Sequence, residues 1–141
     1  MKCKPLRYDV LVPGARTTPA AGSEPLRSRC PIASALDLFG DKWTLVVVRD
    51  LMFLGKHRFS DFLASGEGIS TNVLSERLER LECAGLVERR RYQERPPRDE
   101  YHLTEKGRDL YPVLRELVRW GNRHVPGTFQ PPEEKLRDPR A

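Results

Sequence analysis

Residues 69–91 read ISTNVLSERLERLECAGLVERRR, and this stretch combines the signals of a capped helix, a helix stop and a basic strand. Leu74, Leu78 and Leu81 recur at i, i+4 and i+7, so they share one face of a helix. Ser70 is a candidate N-cap, because its hydroxyl can accept a hydrogen bond from a free amide of the first turn. The stretch therefore predicts an amphipathic helix that leads directly into an arginine-rich strand.

The helix carries short polar or cationic side chains near its N-terminal end. Among them Asn72 points away from the leucine face and Ser75 lies on its flank, as does Arg80 further along the helix. Recognition helices of helix-turn-helix proteins meet the base edges of DNA with their N-terminal end. An ordinary surface helix with solvated charges is the alternative, and the helix alone would favour it. The predicted DNA-binding set in this helix comprises Thr71, Asn72, Ser75 and Arg77 as base-facing candidates, Arg80 as a backbone contact, and Ser70 at the start.

Gly85 stands where a left-handed residue commonly ends a helix, and a predicted β-hairpin follows it. Residues 86–92 and 99–103 have strand-like patterns, and two prolines place the hairpin tip at residues 93–98, because proline cannot lie in a central strand. The first strand and the tip hold five arginines against two glutamates, a net charge of +3. Arginine suits phosphate oxygens and narrow minor grooves, although a solvated basic loop is the alternative. The predicted wing contacts are Arg89, Arg91, Arg95 and Arg98.

Two helices are predicted near the start of the domain. Pro31 favours the first position of a helix over residues 31–39, and Asp41 can cap a second helix from 42 to about 53. The run Val46-Val47-Val48 favours a strand by propensity. The length of the segment and its apolar residues at i, i+4 and i+8 favour a helix instead, and its nearly continuous apolar character predicts a central position.

A short third helix over residues 58–63 and a glycine turn precede the helix that begins after Ser70. This order predicts a helix-turn-helix, with the hairpin as its wing. The predicted fold class is mainly α with a small β-hairpin (α+β), a winged helix-turn-helix that dimerises through its first and last helices.

The last predicted helix runs from Thr104, a candidate N-cap, to about Val125. Its apolar residues cover close to half of the helical wheel, which is wider than the core-facing stripe of one subunit usually is. Core packing against the first helix is the alternative, but two-fold symmetry would also suit a palindromic DNA site, so a homodimer is predicted. The predicted interface residues are Ile32, Leu36, Tyr111, Leu114, Val118 and Trp120.

The length of 141 residues fits one domain with two tails. Composition predicts a flexible N-terminal extension over 1–28, a DNA-binding and dimerisation domain over 29–125, and a disordered C-terminal tail over 126–141. The net charge of +5 permits double-stranded DNA as a partner. No apolar run is long enough to span a bilayer and no signal peptide follows the first residue, so a cytoplasmic protein without a membrane partner is expected.

The three cysteines are widely spaced, the three histidines are scattered, and no nucleophile–base or phosphate-loop motif occurs. The sequence therefore predicts no enzyme, no metal and no cofactor. Cys30 directly precedes the predicted first helix, with Arg27 and Arg29 nearby, and both a helix N-terminus and cations stabilise a thiolate. Cys30 is thus a candidate redox sensor, with a small half-buried cap residue as the alternative.

With these segments in place, the chain resembles the HxlR-type winged helix-turn-helix regulators over about residues 30–121. The matching motifs are Cys30-Pro31-Ile32, Gly40-Asp41-Lys42-Trp43, Arg58-Phe59-Ser60-Asp61-Phe62, Gly68-Ile69-Ser70, Leu74 to Leu78, Leu81 to Arg91, Pro96-Pro97-Arg98, Tyr101 to Thr104 and Trp120-Gly121. The resemblance implies a homodimeric transcriptional regulator that binds two half-sites, with oxidant or electrophile sensing through the cysteine that matches Cys30 in some members. A small-molecule effector is also compatible, and a winged-helix protein-interaction module without DNA binding is the alternative function.

Overall fold

The computed structural model describes residues 27–138 and Arg140. The predicted N-terminal extension, 1–28, lies outside these residues except for its last two positions. The elements are α1 (Pro31–Phe39), α2 (Thr44–Phe53), α3 (Phe59–Leu63), α4 (Thr71–Cys83), β1 (Val87–Glu94), β2 (Pro97–Leu103), α5 (Glu105–Arg108), α6 (Tyr111–His124) and a C-terminal 3-10 helix (Glu133–Leu136). The described residues thus form a mainly helical domain with one antiparallel hairpin, which confirms the predicted mainly α class with a small β-hairpin, while dimerisation through the first and last helices stays a prediction.

Local sequence signals determine where these helices begin and end. The Ser70 hydroxyl accepts a hydrogen bond of 3.3 Å from the Val73 amide, so it is the N-cap of α4. Gly85 has φ +72°, a left-handed conformation that costs glycine little, and it directs the chain from α4 into β1. Asp41 accepts hydrogen bonds from two amides at the start of α2, but the helix begins at Thr44 rather than at residue 42.

The core is built mainly from α2, α4 and the start of the hairpin. The valine run of α2 is helical, and Val48 is completely buried at the centre of the domain, as its nearly continuous apolar character predicted. The three leucines of α4 are buried against it. The other main members of this cluster are Val47, Leu51, Phe62, Ile69, Leu86, Val87, Leu103, Leu110, Tyr111 and Leu114.

The hairpin pairs Val87 with Leu103 at its base and Glu94 with Pro97 at its tip, with a register shift between Arg91 and Gln93. Its strands are therefore longer than predicted, and the turn is shorter. Proline is tolerated at Pro97 because this residue begins a strand of a two-stranded sheet, where a central ladder is not interrupted.

The long last helix predicted over 104–125 is wrong in one respect, because the structure divides it into α5 and α6. Thr104 does cap α5 by accepting from the Gly107 amide at 3.2 Å. Pro112 explains the break, because it has no N–H to donate to the carbonyl of Arg108 one turn earlier. Gly107 is required at this corner, since a Cβ there would lie 2.1 Å from the Leu86 carbonyl oxygen.

The C-terminal segment differs from the predicted disorder over 126–141, because its described residues fold back along α6. Leu136 is buried, and its carbonyl accepts a hydrogen bond from the Tyr111 hydroxyl. Asn122 of α6 donates to the carbonyl of Phe129 at 2.9 Å. Prolines and charged residues dominate the composition of this segment. A single buried leucine among them forms no periodic pattern, so the sequence did not predict that the segment would pack on the domain. Within 27–138, no helix has the length and the apolar character that crossing a lipid bilayer requires.

Candidate nucleic-acid interface

The N-terminal half of α4 presents an exposed row of short polar side chains. Thr71, Asn72 and Ser75 are exposed, and none of these side chains hydrogen-bonds to another described residue. Ser70 is also exposed, but its hydroxyl is engaged in capping the helix. Asn72 faces away from the buried leucines, and Ser75 lies on the flank of the leucine face. We refer to Thr71, Asn72 and Ser75 as the polar row.

Arg77 does not belong to this surface, and here the structure corrects the prediction of a base-facing side chain. Its Nε donates to Oδ2 of Asp41 at 2.7 Å, and its Nη1 lies 2.8 Å from Glu76. The side chain is largely buried between α4 and the α1–α2 junction. Burial alone would raise the pKa of Asp41, but the hydrogen bonds from Thr44 and Arg77 outweigh it and hold this pKa far below its ordinary value.

Arg80 was predicted as a DNA-backbone contact, but it also lies on the inner side of α4. It is half-buried, and its Nη2 donates to the carbonyl of Asp37 in α1 at 3.4 Å. Sequence spacing could not show this, because Asp37 and Arg80 are 43 residues apart.

The arginines of the wing fall into two groups. At the base, Arg89 donates to Glu82 of α4 at 3.0 Å, and Arg91 donates to Asp99 across the hairpin at 3.1 Å. At the tip, Arg95 and Arg98 are exposed, and their guanidinium groups form no ion pair with any described residue. All four predicted wing residues are therefore on the surface, but only the two at the tip have their charge uncompensated within the described part of the chain.

The sequence did not predict how the wing is held to the helix-turn-helix. The His57 and Tyr101 backbones are joined by a hydrogen bond of 2.7 Å, and the His57 ring stacks on His102 with centroids 4.4 Å apart. Beside them, the Arg58 guanidinium lies 4.3 Å from the centre of the Tyr92 ring, in a cation–π contact. His57 and His102 showed no pattern in the sequence because they come together only when the hairpin docks on the loop before α3.

A second missed feature is a charge network at the turn that precedes α4. Arg49 of α2 donates to Glu67 in this turn at 2.8 Å, and it also donates to the buried carboxylate of Asp50 at 2.7 Å. Lys56 completes the network at 3.8 Å from Asp50. Arg49 and Asp50 are the two charged residues of a mainly apolar helix, and this was the sequence signal that could have indicated the network, because buried charges are usually paired.

Cys30 is the N-terminal cap residue of α1 and an exposed free thiol. Arg29 is also exposed, whereas the guanidinium of Arg27 is directed to Asp37 at 2.7 Å. The predicted helix N-terminus at Cys30 is therefore present, but one of its two neighbouring arginines is engaged by a carboxylate. Within the described ranges, no group of three or more His, Cys, Asp or Glu residues is placed to hold a metal ion.

The predicted dimer interface is divided between the surface and the core. Ile32 and Trp120 are 70% and 62% exposed, and Leu36 of α1 is exposed as well. Tyr111 and Leu114, by contrast, are each only 6% exposed because they pack into the core of their own chain, so both are corrections to the predicted interface. Val118 is half-buried between the two regions.

A second apolar face of α6 remains uncovered beside the buried one. Val113, Leu117, Trp120 and His124 follow one another at helical spacing on this face, and the Trp120 and His124 rings lie 5.0 Å apart. We use the name apolar face for these three apolar side chains of α6 together with Ile32 and Leu36, which are exposed on α1. Large exposed apolar residues that recur along one face of a helix commonly mark protein–protein contacts.

Comparison with known proteins places the chain in a family. The model for HxlR-like helix-turn-helix proteins matches residues 38–128. An HTH-type transcriptional regulator of Mycobacterium tuberculosis (Rv3095) is 42% identical over 101 residues, which covers 72% of this chain and 63% of that protein. The regulator YvaP of Bacillus subtilis is 39% identical over 101 residues, covering 71% of this chain and 93% of its own. The chain thus spans under two thirds of the mycobacterial relative.

Solved structures give the same result. The oxidised form of the redox regulator HypR superposes with a TM-score of 0.61 at 37% identity, covering 67% of this chain and 97% of its own. The reduced form of the transcriptional regulator YodB of Bacillus subtilis has a TM-score of 0.58 at 33% identity, covering 72% of this chain and 100% of its own. The chain therefore belongs to the HxlR-like helix-turn-helix family, and the relatives named here are transcriptional regulators rather than enzymes.

Proposed function

We propose that this protein is a homodimeric, sequence-specific DNA-binding transcriptional regulator that inserts α4 into the major groove. The observation that carries the proposal is the polar row, which is exposed, has no side-chain partner among the described residues, and lies on a helix buttressed by buried leucines. Asn72 is the strongest candidate for base readout, because an asparagine amide can bind adenine through two hydrogen bonds. Thr71 and Ser75 can bond to bases or phosphates.

The wing is proposed to follow the DNA beside the groove that α4 occupies. Arg95 and Arg98 at its tip are not neutralised by described carboxylates, so they are available for phosphate oxygens or a narrow minor groove. Arg89 and Arg91 already form ion pairs with Glu82 and Asp99, so we expect them to contribute less to DNA binding. Contacts to phosphates would position the protein, and the polar row would supply the sequence preference.

The homodimer is proposed to form through the apolar face of α1 and α6. Ile32, Leu36, Leu117 and Trp120 are exposed, although apolar side chains of this size are usually buried. A two-fold axis through this face would present two α4 helices to half-sites centred about 34–36 Å apart, or a multiple of this distance. The DNA-binding and dimerisation domain would then extend from residue 29 to the 3-10 helix that supports α6.

A protein-interaction module without DNA binding is the competing function. It would require a different role for the polar row and for the uncompensated arginines of the wing tip. Apolar side chains dominate the centre of stable protein interfaces. Large exposed side chains of this kind lie on α1 and α6 rather than on the surface of α4. This distribution favours DNA as the partner of α4.

Control through Cys30 is a second, separable part of the proposal. The thiol is exposed and free at the start of α1, the helix that also carries two residues of the apolar face. The similarity to HypR, a redox regulator, supports this role. A peroxide would oxidise the Cys30 thiolate to a sulfenic acid, and a quinone would add to its sulfur. Wild type should lose or gain DNA affinity under either reagent, whereas Cys30→Ser should not respond; an equal response of both proteins would remove Cys30 from the mechanism.

Selection of duplexes from a randomised DNA pool by the full-length protein at low ionic strength tests the main proposal. We expect enrichment of a motif with two-fold symmetry, bound with an affinity that falls as salt rises. The selected motif can then be sought upstream of the gene for this protein and of its divergent neighbours. A folded protein that retains no duplex at low ionic strength would contradict the proposal and favour the protein-interaction alternative.

A further inference from the structure

One carboxylate joins the α1–α2 junction, the start of α2 and the middle of α4. Asp41, in the α1–α2 junction, accepts hydrogen bonds from the Trp43 and Thr44 amides at 3.0 and 3.1 Å, and the Thr44 hydroxyl also donates to it. The same carboxylate accepts from Arg77 of α4 at 2.7 Å. Asp41 thus caps the start of α2 and at the same time forms an ion pair with Arg77 in the middle of α4.

Arg80 adds a second connection on the same side of α4. It lies one turn after Arg77, and it donates to the Asp37 carbonyl at the end of α1. The α1–α2 corner is therefore attached to α4 at two successive turns. This corner continues directly from α1, which carries Ile32 and Leu36 of the apolar face.

Arg77 and the polar row are on opposite sides of α4. At about 100° per residue, Arg77 is about 140° from Asn72 and about 160° from Ser75 around the helix axis. An arginine directed into the α1–α2 corner cannot also reach a base in a groove that Asn72 enters. The geometry therefore separates the residues that would read DNA from those that would orient the reading helix.

We propose that Asp41 and Arg77 are positioning residues for DNA recognition: their ion pair sets the rotation of α4 about its own axis. This inference rests on the proposed function. A rotation of about 20° would move a side-chain tip on a helix about 10–12 Å wide by about 2 Å. A base hydrogen bond requires a heavy-atom distance of about 2.7–3.2 Å, so such a rotation removes it. The pair is largely shielded from water, so replacing Arg77 leaves the Asp41 carboxylate without its cation, and replacing Asp41 leaves Arg77 with only the exposed Glu76 as an ion-pair partner.

The test compares Arg77→Met, Asp41→Asn and the double variant with wild type, on a duplex selected by the wild-type protein and on a random duplex. We expect each single variant to lose about tenfold or more in affinity for the selected duplex, which is within the coupling range of residues in contact. Affinity for random DNA and the dependence of binding on salt should stay unchanged. The double variant should be no worse than the poorer single variant, and Arg77→Lys should recover part of the loss.

A direct DNA contact by Arg77 would give a different pattern. Arg77→Met would then weaken binding to all duplexes and lower the salt slope by about one, while Asp41→Asn would release the arginine and leave affinity unchanged or higher. Either result would overturn the positioning role. Arg119→Met is the matched control, because it removes one exposed positive charge from an ion pair on α6, away from α4.

A readout without DNA separates this inference from the proposed function. Hydrogen exchange of the α4 backbone amides should accelerate in Asp41→Asn, since the helix loses its attachment to the corner. Unchanged exchange throughout α4 would overturn the positioning role even if wild type binds DNA. If Arg77→Met does not fold, the comparison uses Arg77→Lys and Asp41→Glu, and equal affinities of these folded variants and wild type for the selected duplex would likewise overturn it.

Discussion

Arg89 of the wing donates a hydrogen bond of 3.0 Å to Glu82 in the last turn of α4. The guanidinium also lies 5.5 Å from the centre of the Tyr101 ring in β2. Arg89 therefore attaches the base of the hairpin to α4 by charge, and its cation–π contact links the two strands of the hairpin. At the other end of the hairpin, Arg95 has no such partner among the described residues. The wing therefore combines an attached base with a charged tip that is available to a phosphate backbone.

Replacing Arg95 by Gln should weaken binding to every duplex, whatever its sequence, because one phosphate contact is lost. The slope of log affinity against log salt should fall by about one unit. Fluorescence anisotropy over a salt series measures both quantities. Arg119→Gln removes the same charge from an exposed site on α6 and serves as the control. Identical slopes for Arg95→Gln and wild type would exclude Arg95 from the interface.

Replacing Asn72 by Ala should relax the sequence preference at one position of each half-site. A bidentate contact with adenine discriminates by about 1–3 kcal/mol, so that position should become nearly indifferent to base identity. The measurement is competition binding with duplexes that each carry one symmetric base-pair change in the selected motif. Wild-type preferences at all positions in the Asn72→Ala variant would show that this side chain does not read a base.

Replacing Ser70 by Ala should lower the free energy of unfolding by about 1 kcal/mol, because the Val73 amide loses its capping acceptor. Urea unfolding followed by circular dichroism gives this value. Ser70→Asp retains a capping oxygen and should stay close to wild type in stability, while its negative charge should repel the DNA backbone. Equal stability of Ser70→Ala and wild type would mean that the hydroxyl does not stabilise α4.

Replacing Leu117 by Glu should dissociate the proposed homodimer without unfolding the monomer, because the side chain is 49% exposed on the apolar face. Leu54→Glu is a matched control, since Leu54 is also 49% exposed but lies at the end of α2. Sedimentation velocity should show a monomer for the first variant and a dimer for the control. A dimer in both variants would place the interface elsewhere.

Acid should remove the stability that Asp41 contributes. Its pKa in the folded protein lies far below the ordinary value of 3.8, because hydrogen bonds from Thr44 and Arg77 outweigh burial. The contribution is therefore present above about pH 4, and it is lost as the pH falls from there toward the folded pKa. Urea unfolding at several pH values should show the stability difference between wild type and Asp41→Asn narrowing below about pH 4. A constant difference down to pH 2 would contradict the depressed pKa.

The features that the sequence predicted well are those that depend on neighbours along the chain. The bounds of α1, the cap at Ser70 and the left-handed turn at Gly85 all follow from residues within one or two turns. The leucine face of α4 could also be predicted, because a helix with one buried face has apolar residues at a regular spacing in its sequence. These local signals were sufficient to order the elements of the winged helix-turn-helix.

The features that the sequence missed depend on residues distant in the chain. Nothing near Arg77 indicates that Asp41, 36 residues earlier, would receive its guanidinium. Tyr111 and Leu114 could not be distinguished from Trp120 by hydrophobicity, because α6 has a buried and an exposed apolar face side by side. The packing of Leu136 against the domain was hidden by the proline-rich composition around it. In each case tertiary contacts, rather than local pattern, decided the role of the residue.

The central claim is that α4 enters the major groove with its polar row facing the bases. Methylation interference at guanine N7 on a selected duplex tests it most directly, because N7 is exposed only in the major groove. We expect two clusters of interfering guanines, related by the two-fold symmetry of the site and separated by about one helical turn or a multiple of it. Binding that is retained without any interference from N7 methylation would contradict this claim.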